Sequence, residues 1–103
     1  MKITKVKIKK FENVENSNVK GIAEVTLDGC FVVKDIRIVE KPEKMVVAMP
    51  SKTIFVKGET EGETVKKHKD LAHPIDEETR AYFNNTILGA FERTEGTEYE
   101  ENL

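Results

Sequence analysis

The chain has 103 residues, a formal net charge of −2, 38% hydrophobic residues and one Cys, Cys30. This length is typical of one small domain with a thin core, and a single Cys excludes an intrachain disulfide. No apolar run approaches the ~20 residues that span a membrane, and the lysine-rich start lacks the apolar segment of a signal peptide, so we expect a cytoplasmic protein.

The first strand pattern is ITKVKIKKF, at the start of the chain. Val6 and Ile8 alternate there with Lys5, Lys7 and Lys9. This alternation predicts a half-buried antiparallel strand with a solvated lysine face. The Asn-rich stretch FENVENSNV that follows predicts a turn or loop.

Three more strand patterns follow. GIAEVTLDG alternates, and its Asp28–Gly29 pair predicts a type I′ hairpin turn because Gly tolerates positive φ. CFVVKDIRIVEK is the return strand and ends at Pro42, and KMVVAMP is a short fourth strand that either ends at Pro50 or continues as a sheet edge. Four strands joined by short turns predict an antiparallel meander.

A long polar stretch then runs to Lys69. Its segments TIFVKG and ETVKKHK predict a hairpin arm at about residues 53–69. Unstructured loops longer than ~12–15 residues are usually either functional or disordered, so the arm is a candidate contact surface.

A helix is predicted after Pro74. Asp76 is a good N-cap, and Glu77 and Glu78 favour the positive end of the helix dipole. Apolar residues recur at helical spacing and form one stripe that we assign to the core, namely Phe83, Ile87, Leu88 and Phe91. The predicted fold class is α+β, with a meander of four to five antiparallel strands followed by one C-terminal helix.

The last part of the chain is acidic. Residues 92–103 hold five Glu and one Arg, whereas residues 1–52 hold eleven basic and seven acidic residues. We predict a single domain over residues 1–91 and a disordered tail over 92–103. A modestly basic body is compatible with a polyanionic partner.

Several ordered segments carry a resemblance to a known family. VAMPSK, DLAHPI with TR shortly after it, and LDGCFVVKDIRIVE resemble the stage V sporulation protein G family over roughly residues 1–91. The resemblance implies a small bacterial regulator linked to sporulation, septation and therefore cell division and the cell cycle. It also implies transcription regulation through site-specific DNA binding, RNA binding in some members, and a homodimer formed through the sheet.

The resemblance also implies where the DNA contacts lie. In that family the helix start after AHPI governs sequence preference, and its positions here are residues 76–81. The basic residue after MPS contributes to a positive face and corresponds to Lys52. This chain departs from the family in a longer segment after Lys52 and in an acidic helix start.

The candidate nucleic-acid site follows from these segments. Phosphates require cations, and base reading requires side chains that reach the base edges. The predicted nucleic-acid-binding residues flank the arm and the helix start: Lys52, Lys66, Lys67, Lys69, Thr79 and Arg80. Lys57 is a further candidate cation. Two alternatives remain open, in which KKHK is an ordinary solvated arm and Arg80 pairs with Glu77 inside the helix.

Other functions receive less support. The chain lacks a nucleophile elbow and a Gly-rich phosphate loop, so we predict no enzyme, no cofactor and no small-molecule substrate. His68 and His73 with Asp70 show no recognised zinc spacing, so no metal site is predicted. The alternative function is a protein-interaction module, docking through the sheet edge or the arm, with weak non-specific nucleic-acid binding.

Overall fold

A computed structural model describes residues 1–12 and 17–103. Residues 13–16 of the predicted FENVENSNV loop lie outside the described residues. The secondary-structure elements, in chain order, are β1 (Ile3–Lys10), β2 (Val19–Leu27), β3 (Phe31–Glu40), β4 (Met45–Ala48), β5 (Ser51–Lys57), β6 (Thr64–Asp70), α1 (Glu77–Arg93) and β7 (Glu98–Asn102). The predicted α+β class is confirmed.

The large sheet has five strands in the order β4-β3-β2-β1-β7, and all neighbouring strands are antiparallel. The four-strand meander predicted from the sequence is therefore confirmed, with β4 at one edge. β5 and β6 pair only with each other and form a separate two-stranded sheet. We call this second sheet the hairpin arm.

Two backbone features shape the β2–β3 hairpin. Asp28 and Gly29 have φ angles of 51° and 67°, and the Cys30 N–H donates to the Leu27 carbonyl at 3.0 Å. Positive φ at both central positions is what a type I′ turn requires, so the predicted turn is confirmed. Further along, Asp35 has a φ of 60° within a register shift that leaves two residues of β3 opposite one of β2. This bulge re-aims the strand so that its apolar residues continue to face the core.

The core lies between the large sheet and α1. Its fully buried large side chains come from the sheet and the helix, namely Ile3, Val6, Val25, Ile36, Ile38 and Ile87. Phe83 and Ile87 of the predicted helical stripe are buried, and Leu88 and Phe91 pack against the same cluster. The assignment of this stripe to the core is confirmed. Within residues 1–12 and 17–103, no helix has the length and apolarity needed to cross a membrane.

The acidic tail is ordered into a strand, so the prediction of a disordered tail is wrong. Residues Glu98–Asn102 form β7, which pairs with β1 from Lys5 to Lys9. Tyr99 of β7 packs against the core. Main-chain pairing and this aromatic contact offset the cost of ordering a segment whose composition alone favours disorder.

Candidate nucleic-acid interface

The hairpin arm divides the four predicted arm lysines between two faces. Lys52 lies opposite Lys69, and Lys67 lies opposite Ile54. Directly opposed residues of an antiparallel pair share a face, and successive residues alternate between faces. Lys52, Lys67 and Lys69 therefore lie together on one face, which we call the basic face. Lys66, opposite Phe55, lies on the other face.

The basic face is open to solvent and partly apolar. Every residue of β6 is exposed, including Lys67 and Lys69, and Lys52 is exposed on β5. The positions between the lysines on this face are aliphatic, namely Ile54, Val56 and Val65. The structure thus presents three ammonium groups beside aliphatic contact area, whereas Phe55 and Lys66 occupy the opposite face.

Charge changes sign along the arm. The connection between β5 and β6 contains Glu59, Glu61 and Glu63 and no basic residue. Local bonds close this tip: the Gly58 N–H donates to the Glu63 carbonyl at 2.8 Å, and the Thr60 N–H donates to Glu63 Oε2 at 3.3 Å. An anion is therefore attracted to the strands near the base of the arm and repelled by its tip.

The base of the arm is tied to the large sheet. The Leu71 N–H donates to the Pro50 carbonyl at 2.7 Å, and Arg37 Nη2 donates to Ser51 Oγ at 3.1 Å. These bonds fix where the arm leaves the sheet. The role of Arg37 was missed from the sequence because it stands at an ordinary polar position of an alternating strand.

The start of α1 has the predicted cap. The Thr79 N–H donates to Asp76 Oδ1 at 2.7 Å, and the Thr79 hydroxyl donates to Asp76 Oδ2 at 3.0 Å. These two hydrogen bonds stabilise the charged carboxylate and so lower the pKa of Asp76 below the ordinary aspartate value, and the bond from the Thr79 backbone N–H has the larger effect. The hydroxyl proton of Thr79 is committed to this cap, so towards a nucleic acid Thr79 can only accept.

Arg80 is exposed and bonds to the loop before the helix. Its Nη2 donates to the Pro74 carbonyl at 3.1 Å, and His73 Nδ1 lies 2.9 Å from the same oxygen. The alternative in which Arg80 pairs with Glu77 is not observed. A guanidinium has five N–H donors, so Arg80 keeps donors for an incoming ligand. His73 thus bonds to the backbone near the helix start.

The six predicted site residues form two groups. Within residues 1–12 and 17–103, no hydrogen bond or ion pair joins the arm lysines to Thr79 or Arg80. In the same ranges there is no group of three or more His, Cys, Asp or Glu residues arranged to hold a metal ion. The predicted site therefore consists of the arm cations and Arg80 as two groups that no bond joins in the part of the chain that the structure describes.

The lysines of β1 behave differently from one another. Lys10 lies over the ring of Phe91, with its Nζ 4.8 Å from the ring centroid, and donates to the Thr94 carbonyl at 3.4 Å. It therefore belongs to the helix packing. Lys5, Lys7 and Lys9 lie on the sheet face opposite the core, as the alternation predicted. We call these three residues the lysine row.

Apolar side chains are also exposed around the arm. Phe55 is 70% exposed, Leu71 63% and Ile75 91%. Exposed apolar groups that form a contiguous patch mark interaction sites. All three residues lie outside the core, and Phe55 lies on the face of the arm opposite the basic face.

Comparison with known proteins identifies relatives over most of the chain. A family model described as SpoVG matches residues 1–93. Three relatives carry the name "Putative septation protein SpoVG". The protein of Phytoplasma australiense is 38% identical over 92 residues, covering 89% of this chain and 84% of its own. That of Caldicellulosiruptor bescii is 39% identical, covering 89% and 92%, and that of Desulforudis audaxviator is 38% identical, covering 96% and 100%.

Proposed function

The chain belongs to the SpoVG family, and from that membership we propose that it is a bacterial regulatory protein that binds nucleic acid as a homodimer. DNA is the first ligand class and RNA the second. The relatives are named as septation proteins, and this supports septation as the process that the protein regulates. The observation that best supports the proposal is the basic face, where Lys52, Lys67 and Lys69 lie together on an exposed arm.

The basic face supplies the phosphate contacts. Each ammonium that neutralises a phosphate releases condensed counterions, so binding weakens as salt rises, with a slope of about 0.9 per contact on duplex DNA. The residues Lys67 and Lys69 are spaced by one two-residue repeat of the strand, about 6.6 Å. In a twofold dimer the basic face occurs twice, and the two copies engage one backbone.

The helix start supplies selectivity. Glu77 and Glu78 repel phosphate, so this end of α1 does not grip the backbone. Arg80 presents unused N–H donors, and guanine edges accept such donors in pairs. We therefore assign phosphate binding to the arm and base reading to Arg80, with Thr79 restricted to accepting.

A matched pair of lysine variants tests the proposal. Lys66 and Lys67 are adjacent, exposed and equally charged, but lie on opposite faces of the arm. We expect Lys67→Ala to weaken binding of mixed genomic DNA fragments and to reduce the salt slope by about 0.9. Lys66→Ala should change the affinity less than about twofold. Titrations at two salt concentrations measure both quantities, and equal losses in the two variants would contradict the assignment to the basic face.

The exposed apolar residues favour a second candidate, a protein-interaction module. Phe55, Leu71 and Ile75 offer contact area that phosphate binding does not use. A pull-down with the purified protein tests this alternative. A protein partner should stay bound after nuclease treatment and in Lys67→Ala, and it should be lost in Phe55→Ala. The nucleic-acid proposal expects the opposite pattern, with nuclease-sensitive retention that depends on Lys67.

A further inference from the structure

The lysine row of β1 is a second cationic surface, separate from the basic face of the hairpin arm. Lys5, Lys7 and Lys9 recur at every second position of β1, on the face opposite α1. Across the described residues, neither Lys7 nor Lys9 makes an ion pair. An uninterrupted row of ammonium groups along a strand is suited to an extended polyanion.

Glutamates of β7 stand beside this row. The register places Glu100 opposite Lys7 and Glu98 opposite Lys9, and Glu100 forms an ion pair with Lys5. The hydrogen bond from Lys5 is the main reason that the pKa of Glu100 lies below its ordinary value, so this carboxylate stays charged. An open groove of about 490 Å³ runs over the same strands, and its lining holds Lys7 and Lys9 beside Glu98 and Glu100 of β7. Glu24 of β2 also lines the groove opposite Lys7, but it forms an ion pair with Lys34.

Other groups hold β7 in place. On its inner side, Tyr99 packs against the core, and Glu101 accepts from Arg93 Nε at 3.1 Å and Nη2 at 2.7 Å. Its backbone ends are tied by the Leu103 N–H to the Thr4 carbonyl at 2.9 Å and by the Lys10 N–H to the Thr97 carbonyl at 2.7 Å. Glu98 and Glu100 are therefore not needed to attach β7 to the sheet. Both place negative charge beside the lysine row.

We propose that Lys5, Lys7 and Lys9 form a second binding surface for the phosphodiester backbone of nucleic acid, and that Glu98 and Glu100 of β7 cover it within the same chain. The proposal rests on the proposed function in that nucleic acid is the ligand. β7 lies outside residues 1–93, the region that the family model matches. Incoming phosphate competes with the two carboxylates for the same ammonium groups.

The test compares two double variants with the same change of net charge. Glu98→Gln/Glu100→Gln neutralises the cover, and Glu92→Gln/Glu95→Gln neutralises two exposed glutamates outside it. Glutamine keeps the side-chain length, so β7 is retained, and circular dichroism and thermal unfolding verify this. The probe is a 20-nucleotide oligodeoxythymidylate, which isolates the phosphate contribution from base reading.

We expect the cover variant to bind the probe roughly fourfold more tightly at low salt, because each of the two removed carboxylates is worth about a twofold change near a phosphate in water. The gain in affinity should shrink as added salt shortens the Debye length to about 8 Å, because the charges are then screened from one another. The control variant should gain less than about twofold. Adding Lys7→Gln/Lys9→Gln to the cover variant should abolish the gain.

Three outcomes would overturn the cover. These are equal gains in both double variants, no gain in the cover variant, and a gain that survives loss of Lys7 and Lys9. A separate variant, Lys52→Ala/Lys67→Ala/Lys69→Ala, keeps the two proposals apart. If it leaves the affinity of the parent protein unchanged, the basic face is wrong, and the cover is still judged by the glutamine variants. If no protein in the set binds at low salt, both proposals fail.

Discussion

At the residue scale, Asp76 connects the folding of α1 with the surface beside it. Its two carboxylate oxygens accept from the backbone and the hydroxyl of Thr79, at 2.7 and 3.0 Å. One side chain thus satisfies an otherwise unpaired helical N–H and removes a donor from the proposed base-reading group. A change at this position should alter both stability and recognition.

Replacing Asp76 by Ala removes the cap. We expect thermal unfolding to shift down by roughly 4–8 °C, the shift typical of one lost helix cap in a domain of this size. Asp76→Asn should recover most of the loss, because Asn caps about as well as Asp. Glu78→Ala, in the same turn but outside the cap, serves as the control. Thermal unfolding monitored by circular dichroism measures the shift of each variant. An equal shift in the Ala and Asn variants would contradict a capping role.

The charge of Asp76 should make part of this stability depend on pH. Its pKa is lower in the folded chain than in the unfolded one, so its charged form stabilises the fold above the unfolded pKa. That contribution is lost as the pH falls through the folded pKa, from about pH 4 downwards. The stability difference between the parent protein and Asp76→Asn, measured by urea unfolding at pH 7 and pH 2.5, should therefore shrink at the lower pH. A constant difference would contradict it.

Lys66 and Lys67 show at the same scale what the sequence left open. Both stand in a run of exposed cations, and both were predicted to bind nucleic acid. Lys67 shares a face with Lys69 in any register, because successive strand residues alternate, but the register of β5 against β6 decides whether Lys52 joins that pair or joins Lys66. Register is set by the length and geometry of the connection, which a polar, Gly-containing tip does not specify from composition.

At the element scale, the hairpin arm is separable from the core. The buried hydrophobic cluster includes no residue of β5 or β6, and every position of β6 is exposed. The hairpin predicted at about residues 53–69 is present, with β5 over Ser51–Lys57 and β6 over Thr64–Asp70. The arm thus contributes surface, and the large sheet with α1 contributes the packed core.

Shortening the arm separates these contributions. Replacing residues 54–67 by Asn-Gly keeps Thr53 opposite His68 and closes a two-residue turn. We expect the unfolding midpoint to move by less than about 3 °C, because no core residue is removed. Affinity for DNA should fall at least as far as in Lys67→Ala. A large loss of stability would show that the arm supports the fold.

The helix is, by contrast, part of the core. Ile87 has no exposed surface and lies among the sheet residues. Ile87→Ala should cost about 2–5 kcal/mol in the free energy of unfolding, through lost burial and a residual cavity. Asn85→Ala, at an exposed position of the same helix, should cost less than about 0.5 kcal/mol. Urea unfolding measures both, and similar costs would contradict the packing of α1 on the sheet.

At the scale of the whole molecule, the uneven charge of the sequence acquires a spatial meaning. The basic first half and the acidic tail meet where β1 pairs with β7. The glutamates of the tail therefore lie directly beside the lysine row of β1. The hairpin arm carries the cations of its basic face away from this neutralised region.

The proposed homodimer gives a prediction at this scale. We expect sedimentation equilibrium to return twice the chain mass of 11.7 kDa. Phe55→Ser, on the arm, should leave this equilibrium unchanged although Phe55 is 70% exposed, and a substitution in the large sheet should shift it towards the single chain. Phe31→Ser, on the large sheet through which the dimer is expected to form, is the informative second variant, since Phe31 is 64% exposed. A single-chain mass at all concentrations would reject the dimer.

The sequence by itself determined the strands of the meander, the Asp28–Gly29 turn, the Asp76 cap and the apolar stripe of α1. Each depends on residues that are close together in the chain, so local periodicity and backbone preference are sufficient. Only the tertiary structure decided that β7 pairs with β1 and that Lys52 shares a face with Lys67 and Lys69. Both depend on the register between strands, and for β7 on an approach of the two chain ends, which local composition does not encode.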